Sequence, residues 1–496
     1  MPTSHPEKVL HSVLYAALLA SGALGKERLT KPEQVENDIH VKELQNVLWH
    51  FQKIARDNGG NRAYGLPGYN ASMDFVLERA VKRFGKHMDT YVQEFTHLFE
   101  TTRKISLTGP DGKDAVVVAL MYNTATPLPG GVTAALINTP VDDTRGSACF
   151  EDQWAGIDAK GKIALIKRGV CPIADKLKLA KAHGALAAVL YNQVSGEITG
   201  ATLSAENIGK LVPVGVTSLE NGLAWSKRVA AGEEVKVTLI VDAITETRPS
   251  WNIISETKEG DPNNVVMLGA HLDGVQAGPG VNDDGSGSAA LLEIMGSIKK
   301  YGGFKNKLRL AWWGAEESGL VGSLYYTSKL SEQEADKIKF YFNYDMIGSL
   351  EPEYAVYADN DAHKYGAKPL YDYLKAKGKP AEYGAFGTSS DYVGFLQLGI
   401  PSSGLFTGAG APWDVCYHKA CDDLNNINWD ALEVNAKAAA YVAAKFAISL
   451  DGVPPRNKTS TNPKSRREMM RRFDQWSTTA RVVEKTHNCG DGSSVV

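Results

Sequence analysis

The chain has 496 residues, 43% of them hydrophobic and 22% charged, the makeup of a soluble globular protein with room for two domains or more. Its 54 Lys and Arg stand against 57 Asp and Glu, a net charge of -3. Overall charge therefore gives no case for nucleic acid or an anionic membrane as the main partner.

Along the chain, the apolar run from Val9 to Leu24, with small residues near Ser21 and Ala23, reads as a secretory signal over residues 1–23. Residues 24–35 are a possible propeptide. The alternative for the run is a short amphipathic helix. No other apolar run is long enough to span a bilayer, so the expectation is a secreted, extracellular protein. Five cysteines fit that compartment: two local disulfides, within the regions of Cys149 and Cys171 and of Cys416 and Cys421, with Cys489 left over. Sequons at Asn70 and Asn457 agree with export.

Residues 30 to about 100 read as helical, with Val41, Leu44, Val47, Leu48 and Phe51 at helix spacing. Residues 36–125 are taken as the first part of the main domain. From about 126 to 245 short β-branched runs such as "GKIALIKRG" and "ALAAVLYNQ" indicate a separate, β-rich module. Strands and helices then alternate over 246–450: "NVVMLGAH", a helix from about Ser286, "KLRLAWWG", a helix near Ser323, "KIKFYFNYD", "IPSSGLF" and a helix from Trp429 to Leu450. The alternation predicts an α/β fold, a mixed sheet flanked by helices. Beyond residue 451 the rise in Pro, Ser, Thr and Arg predicts a mobile tail.

Metal-type side chains recur just past predicted strands, where an α/β sheet gathers its functional groups. His271 and Asp273 follow "VVMLGA", Glu316 and Glu317 follow "LRLAWWGA", Asp345 follows "IKFYFNY", and His418 lies in a Cys-flanked loop. Asp283 sits in the glycine loop "NDDGSG" before a helix. Singly these are solvent-facing glutamates, a hydrogen-bonded histidine, or a turn with a helix cap. Jointly, two His and three carboxylates are ligands that suit a pair of zinc ions, with a glutamate left for proton transfer.

The motifs "HLD", "NDDGSG", "EES", "DM" and "YH" resemble, in order, those of the co-catalytic dizinc aminopeptidases, in the branch of secreted fungal-type leucine aminopeptidases and aminopeptidase Y. The segment "GKIALIKRGVCPIADKLKLAKAHGALAAVLYN" is similar to a protease-associated domain. The resemblance implies a zinc-exopeptidase fold with that domain inserted at 126–245. It also implies two Zn2+, one on His271 and Asp345, the other on Glu317 and His418, bridged by Asp283. Glu316 would be the general base, Asp273 the acceptor that orients His271, and Tyr417 a donor to the oxyanion. A Cys416–Cys421 disulfide and a cis peptide between Asp283 and Asp284 are further implications. So is a monomeric enzyme acting on peptides with a free N-terminus, through an apolar pocket near Met346, Ile347 and Phe406.

One departure stands out. Where bacterial relatives carry Arg in "GRSD", this chain has "GTSSDY", with Ser389 in that place. A dizinc carboxypeptidase is the first alternative, which the lack of a cationic group for the substrate carboxylate disfavours. A noncatalytic binding ectodomain is the second, and the intact ligand set argues against it.

Overall fold

The computed structural model describes residues 26–458 except 197, 199 and 200. The expected signal and Cys489 lie outside the described residues. In chain order the principal strands are β1 (Met88–Thr108), β2 (Val132–Asn138), β3 (Ile163–Lys167), β4 (Ala187–Tyr191), β5 (Val214–Thr217), β6 (Lys236–Thr257), β7 (Asp261–His271), β8 (Asn306–Trp313), β9 (Ile338–Tyr344), β10 (Ala355–Tyr357), β11 (Glu382–Gly384) and β12 (Ser402–Phe406). They join in one mixed sheet of order β11-β10-β12-β9-β7-β8-β6-β2-β3-β4-β5, with β1 paired to β6.

The four neighbours β12, β9, β7 and β8 run parallel. Their C-terminal ends therefore open on one side. Strand β7 explains its own apolar run: Val266, Leu268 and Ala270 face a core built with the helices Gly285–Ile298 and Trp429–Ile448, while Met267 faces a second core with Trp313, Tyr341 and Phe395. Both faces are covered, so both positions of the period-two alternation are apolar. Gly269 is required by space, since a Cβ there would lie 2.2 Å from the Tyr341 hydroxyl oxygen.

The helical reading of residues 30 to 100 holds for Val41–Asp57 and Pro67–Leu77 and fails from Met88 onward. "MDTYVQEFTHLFETTRKISLT" is rich in Thr, Val, Tyr and Phe, which favour a pleated surface. It pairs antiparallel with β6 from Met88↔Thr257 to Thr108↔Thr238. This long ribbon leads from the main domain into the β-rich module of β2 to β5, which has two hydrophobic cores of its own and the Cys149–Cys171 disulfide.

Both ends of the described chain are packed against the main domain. Within the possible propeptide, Leu29 and Val35 are buried in the main core, and the Tyr301 hydroxyl donates to the Gln34 carbonyl at 2.9 Å. At the other end, the first residues of the expected mobile tail are docked. Buried Arg456 pairs with Asp336 at 2.9 Å and donates to the Leu398 carbonyl at 2.9 Å, and the Asn457 N–H donates to Gly399. Residues 459–496 lie outside the described residues.

If residues 29–36 belong to the fold, Val35→Ala costs about 2 kcal/mol through lost apolar burial and the cavity left behind. Urea unfolding of the full chain reads this as a lower midpoint, and an unchanged midpoint contradicts it.

Candidate active site

Each strand end delivers one part of the site. His271 closes β7, Glu316 and Glu317 follow β8, and Asp345 follows β9. Asp283 lies in the loop between β7 and the helix Gly285–Ile298, and His418 lies within the Cys416–Cys421 disulfide loop. They gather into two groups, His271 with Glu316 and Asp345, and Asp283 with Glu317 and His418, each with its ligand atoms within 4.8 Å of one another. Asp283 joins them. Its Oδ1 is 3.1 Å from His271 Nε2 and its Oδ2 is 3.1 Å from His418 Nε2. His418 Nε2 is also 3.1 Å from Glu317, while His271 Nε2 is 3.5 Å from Asp345 and 3.9 Å from Glu316.

The donor chemistry tests whether metal fits here. His271 Nδ1 lies 2.9 Å from the Asp273 carbonyl oxygen, an acceptor only, so Nδ1 carries a proton and Nε2 is the ring atom turned toward the carboxylate oxygens. So many oxygens around one ring nitrogen call for positive charge, supplied by a proton on Nε2 or, in its place, by a metal ion. The surrounding field has the same sense: burial lowers the His271 pKa, but Glu316, Asp345 and Asp283 outweigh it and hold it well above its ordinary value. Burial, opposed by His271, raises Glu316 well above the usual carboxylate range, with Asp391, Glu317 and Asp345 adding to it. A buried set of imidazole and carboxylate donors with excess negative charge suits divalent zinc.

Supporting groups fix these ligands. The acceptor that sets the His271 tautomer is the Asp273 main-chain carbonyl, whereas the side chain expected in that role is 3.9 Å from Nδ1. The Asp273 carboxylate instead accepts the N–H groups of Glu316 at 3.0 Å and Glu317 at 3.3 Å. It thus positions both glutamates.

Asp284, which the sequence offered only as a turn or cap residue, is a hub. Its carboxylate accepts the N–H of His271 at 3.1 Å, of Gly287 at 2.9 Å and of Met346 at 3.1 Å. The peptide between Asp283 and Asp284 is cis. Two glycines act in different ways: Gly280 in the loop has φ +64°, and a Cβ on Gly287, in the first turn of the helix Gly285–Ile298, would lie 2.0 Å from the Tyr344 carbonyl oxygen.

Two more supports were not read from the sequence. Asp422 accepts the N–H of Asn282 at 2.9 Å and of Asp283 at 3.1 Å. The fully buried Arg62 donates to the carbonyls of Leu272, Pro279 and Gly280, closing both ends of the loop that carries Asp283. The signals were faint: an Asp beside Cys421, and an Arg in a glycine-rich stretch.

Tyr417 stacks on the His418 ring with centroids 3.8 Å apart. Burial first, then Asp283, Glu317, Glu316 and Asp345, push its hydroxyl pKa well above the ordinary value, so it remains a donor. At the departure loop, Ser389 approaches the Tyr392 hydroxyl at 3.3 Å, and Ser390 donates to Asp345 at 2.5 Å. Beside it lies a cavity of about 470 Å³ lined by Glu353, Tyr357, Ser389, Tyr392 and Phe406 among others. Met346 and Ile347, expected at such a pocket, are buried at 2% and 0% exposure instead.

Residues 252–443 match peptidase family M28, and residues 132–225 match the PA domain. A probable leucine aminopeptidase 2 of Aspergillus oryzae is 35% identical over 489 residues, covering 93% of this chain and 95% of that one. This chain belongs to peptidase family M28. Aminopeptidase Y of Saccharomyces cerevisiae is also 35% identical, over 454 residues, covering 86% of this chain and 82% of its own. The crystal structure of a zinc aminopeptidase from Bacillus subtilis superposes with a TM-score of 0.63 at 25% identity, over 84% of this chain and 98% of the other. The M28 member described here is accordingly an enzyme of the zinc aminopeptidase type, with the PA domain inserted in its sheet.

Arg62→Met leaves the carbonyls of Leu272, Pro279 and Gly280 without their donor in a buried site. This M28 chain should lose about 3 kcal/mol of stability, read by urea unfolding. Bound zinc, measured by elemental analysis, should fall with it, and wild-type values for both would remove Arg62 from this role.

Proposed function

We propose that the chain is a secreted dizinc aminopeptidase that removes leucine and other bulky apolar residues from the N-terminus of peptides. The observation that carries the reading is the Asp283 carboxylate, whose two oxygens each lie 3.1 Å from a different histidine. His271 and Asp345 would hold one ion and Glu317 and His418 the other, with Asp283 shared. Bound zinc supplies polarisation of the scissile carbonyl and a water acidified toward neutral pH.

The protein's own groups do the rest. Glu316 takes a proton from the attacking water and returns it to the leaving amine. Tyr417 donates its hydroxyl proton in a hydrogen bond to the developing oxyanion, a task that no arginine shares where Ser389 stands. Glu316 and Asp345 receive the substrate's free amine. Ser390 holds Asp345 in place, and Asn343 in turn donates to Ser390 at 2.8 Å. The first side chain enters the cavity near Asp345, where the rings of Tyr357, Tyr392 and Phe406 favour an apolar group. The two disulfides, Cys149–Cys171 and Cys416–Cys421, support an oxidising, extracellular destination.

Purified protein should release leucine from a leucyl anilide, lose that activity on chelation, regain it with zinc, and leave the N-acetylated substrate intact. Cleavage of the acetylated substrate, or full activity after chelation, would reject the reading.

Glu316→Gln should keep its zinc while kcat falls about 10²–10⁴-fold. Wild-type kcat in that variant removes Glu316 as the base.

A further inference from the structure

A second cavity, of about 90 Å³, adjoins the site at Glu317 and His418, and Asp345 is not part of its wall. That volume is several times the roughly 10–15 Å³ that one water requires. Its wall includes Glu317 and His418, so it opens beside the same catalytic centre. The remainder is mixed, with Phe99 from β1, Val275 from the loop after β7 and Met121 supplying apolar surface beside Glu100, Thr102 and Gln276.

Met121 belongs to the PA domain by hydrogen bonding. Its N–H donates to the Ala201 carbonyl at 3.0 Å, and its carbonyl accepts the Leu203 N–H at 3.0 Å. The neighbouring Thr102 also lines the cavity, and its buried Oγ1 has no hydrogen-bond partner among the described residues.

In an extended peptide, successive side chains point to opposite sides. With the amine at Glu316 and Asp345 and the first side chain beside Phe406, the second side chain is directed toward Glu317 and His418. We propose that this cavity receives the side chain of the substrate's second residue and that the PA domain, through Met121, selects an apolar one. The proposal rests on the aminopeptidase reading above and deepens it. The inserted domain is then part of the substrate site and more than a cover over it.

The test compares kcat/KM for leucinamide, Leu-Gly, Leu-Phe and Leu-Lys with the zinc-loaded full chain. Leucinamide has no second side chain and serves as the reference within each preparation. The wild type should favour Leu-Phe over Leu-Gly by about tenfold or more, as expected for filling an apolar pocket. In Met121→Asp, Leu-Phe should fall about tenfold relative to leucinamide while Leu-Lys rises, and Met121→Ala should show the first change without the second.

Equal rates for Leu-Gly and Leu-Phe in the wild type overturn the proposal. So does a Met121→Asp enzyme in which all four substrates change by one common factor, as lost folding would produce. If the wild type cleaves neither leucinamide nor the dipeptides, the aminopeptidase reading itself has failed and the proposal falls with it.

Discussion

Everything at this centre depends on keeping many carboxylates buried at one end of a sheet. Asp273, Asp283, Asp284, Glu316, Glu317 and Asp422 are all under 9% exposed, and unpaired charges in such a setting are costly. The chain offsets that cost with main-chain dipoles. Asp284 receives N–H groups from a strand end, a helix start and the residue after Asp345, Asp273 receives those of the two glutamates, and Asp422 receives that of Asp283 itself. The buried Arg62 guanidinium adds positive charge whose field favours the charged forms of Asp422, Asp273, Asp284 and Asp283. What remains uncompensated is concentrated on the oxygens that face the two histidines, the place in this site whose donors suit a divalent cation.

The same support accounts for unusual backbone at the ligands. Ala315, Met346 and His418 have φ near +51° to +58°, a region that non-glycine residues rarely adopt. One precedes Glu316, one follows Asp345 and one is itself a candidate ligand. Strain at such places persists only where the surroundings hold it, and here the holders are visible. The Met346 N–H is fixed by Asp284, and His418 lies inside the short Cys416–Cys421 loop.

His271, Glu316, Glu317 and Asp345 stood out in the sequence as candidates because they follow apolar runs that read as buried strands, and because imidazole and carboxylate at several such ends point to one chemistry, whereas Asp283 and His418 lie in loops and were singled out by motif. Less was legible wherever a partner is remote. Arg62 meets the Gly280 carbonyl from 218 residues away, and Asp422 meets Asn282 from 140; a single sequence carries no mark of either pairing. Asp273 was readable as a supporting residue, but the division between its carbonyl and its carboxylate is a matter of geometry. Strand β1 was misread because helix spacing established at Val41 was extended past the point where Thr and aromatic residues took over. The docking of Val35 and Arg456 escaped for a related reason, since segments near a chain's ends are expected to be loose until their burial is known.

Of these features, the ribbon has the widest reach. The β1–β6 pairing is continuous over twenty or so residues on each strand and is interrupted by a register shift between Thr102 and Lys104, close to where the ribbon passes the second cavity. A bulge at such a point bends and twists the strands that follow it. Because side chains alternate faces, losing one residue between Lys104 and Thr108 would turn every later position over and re-aim the whole inserted domain. Insertions and deletions should therefore be tolerated at the tips of the loops and refused along this ribbon. Its length and register work as a fixed ruler between the catalytic strands and the domain they carry.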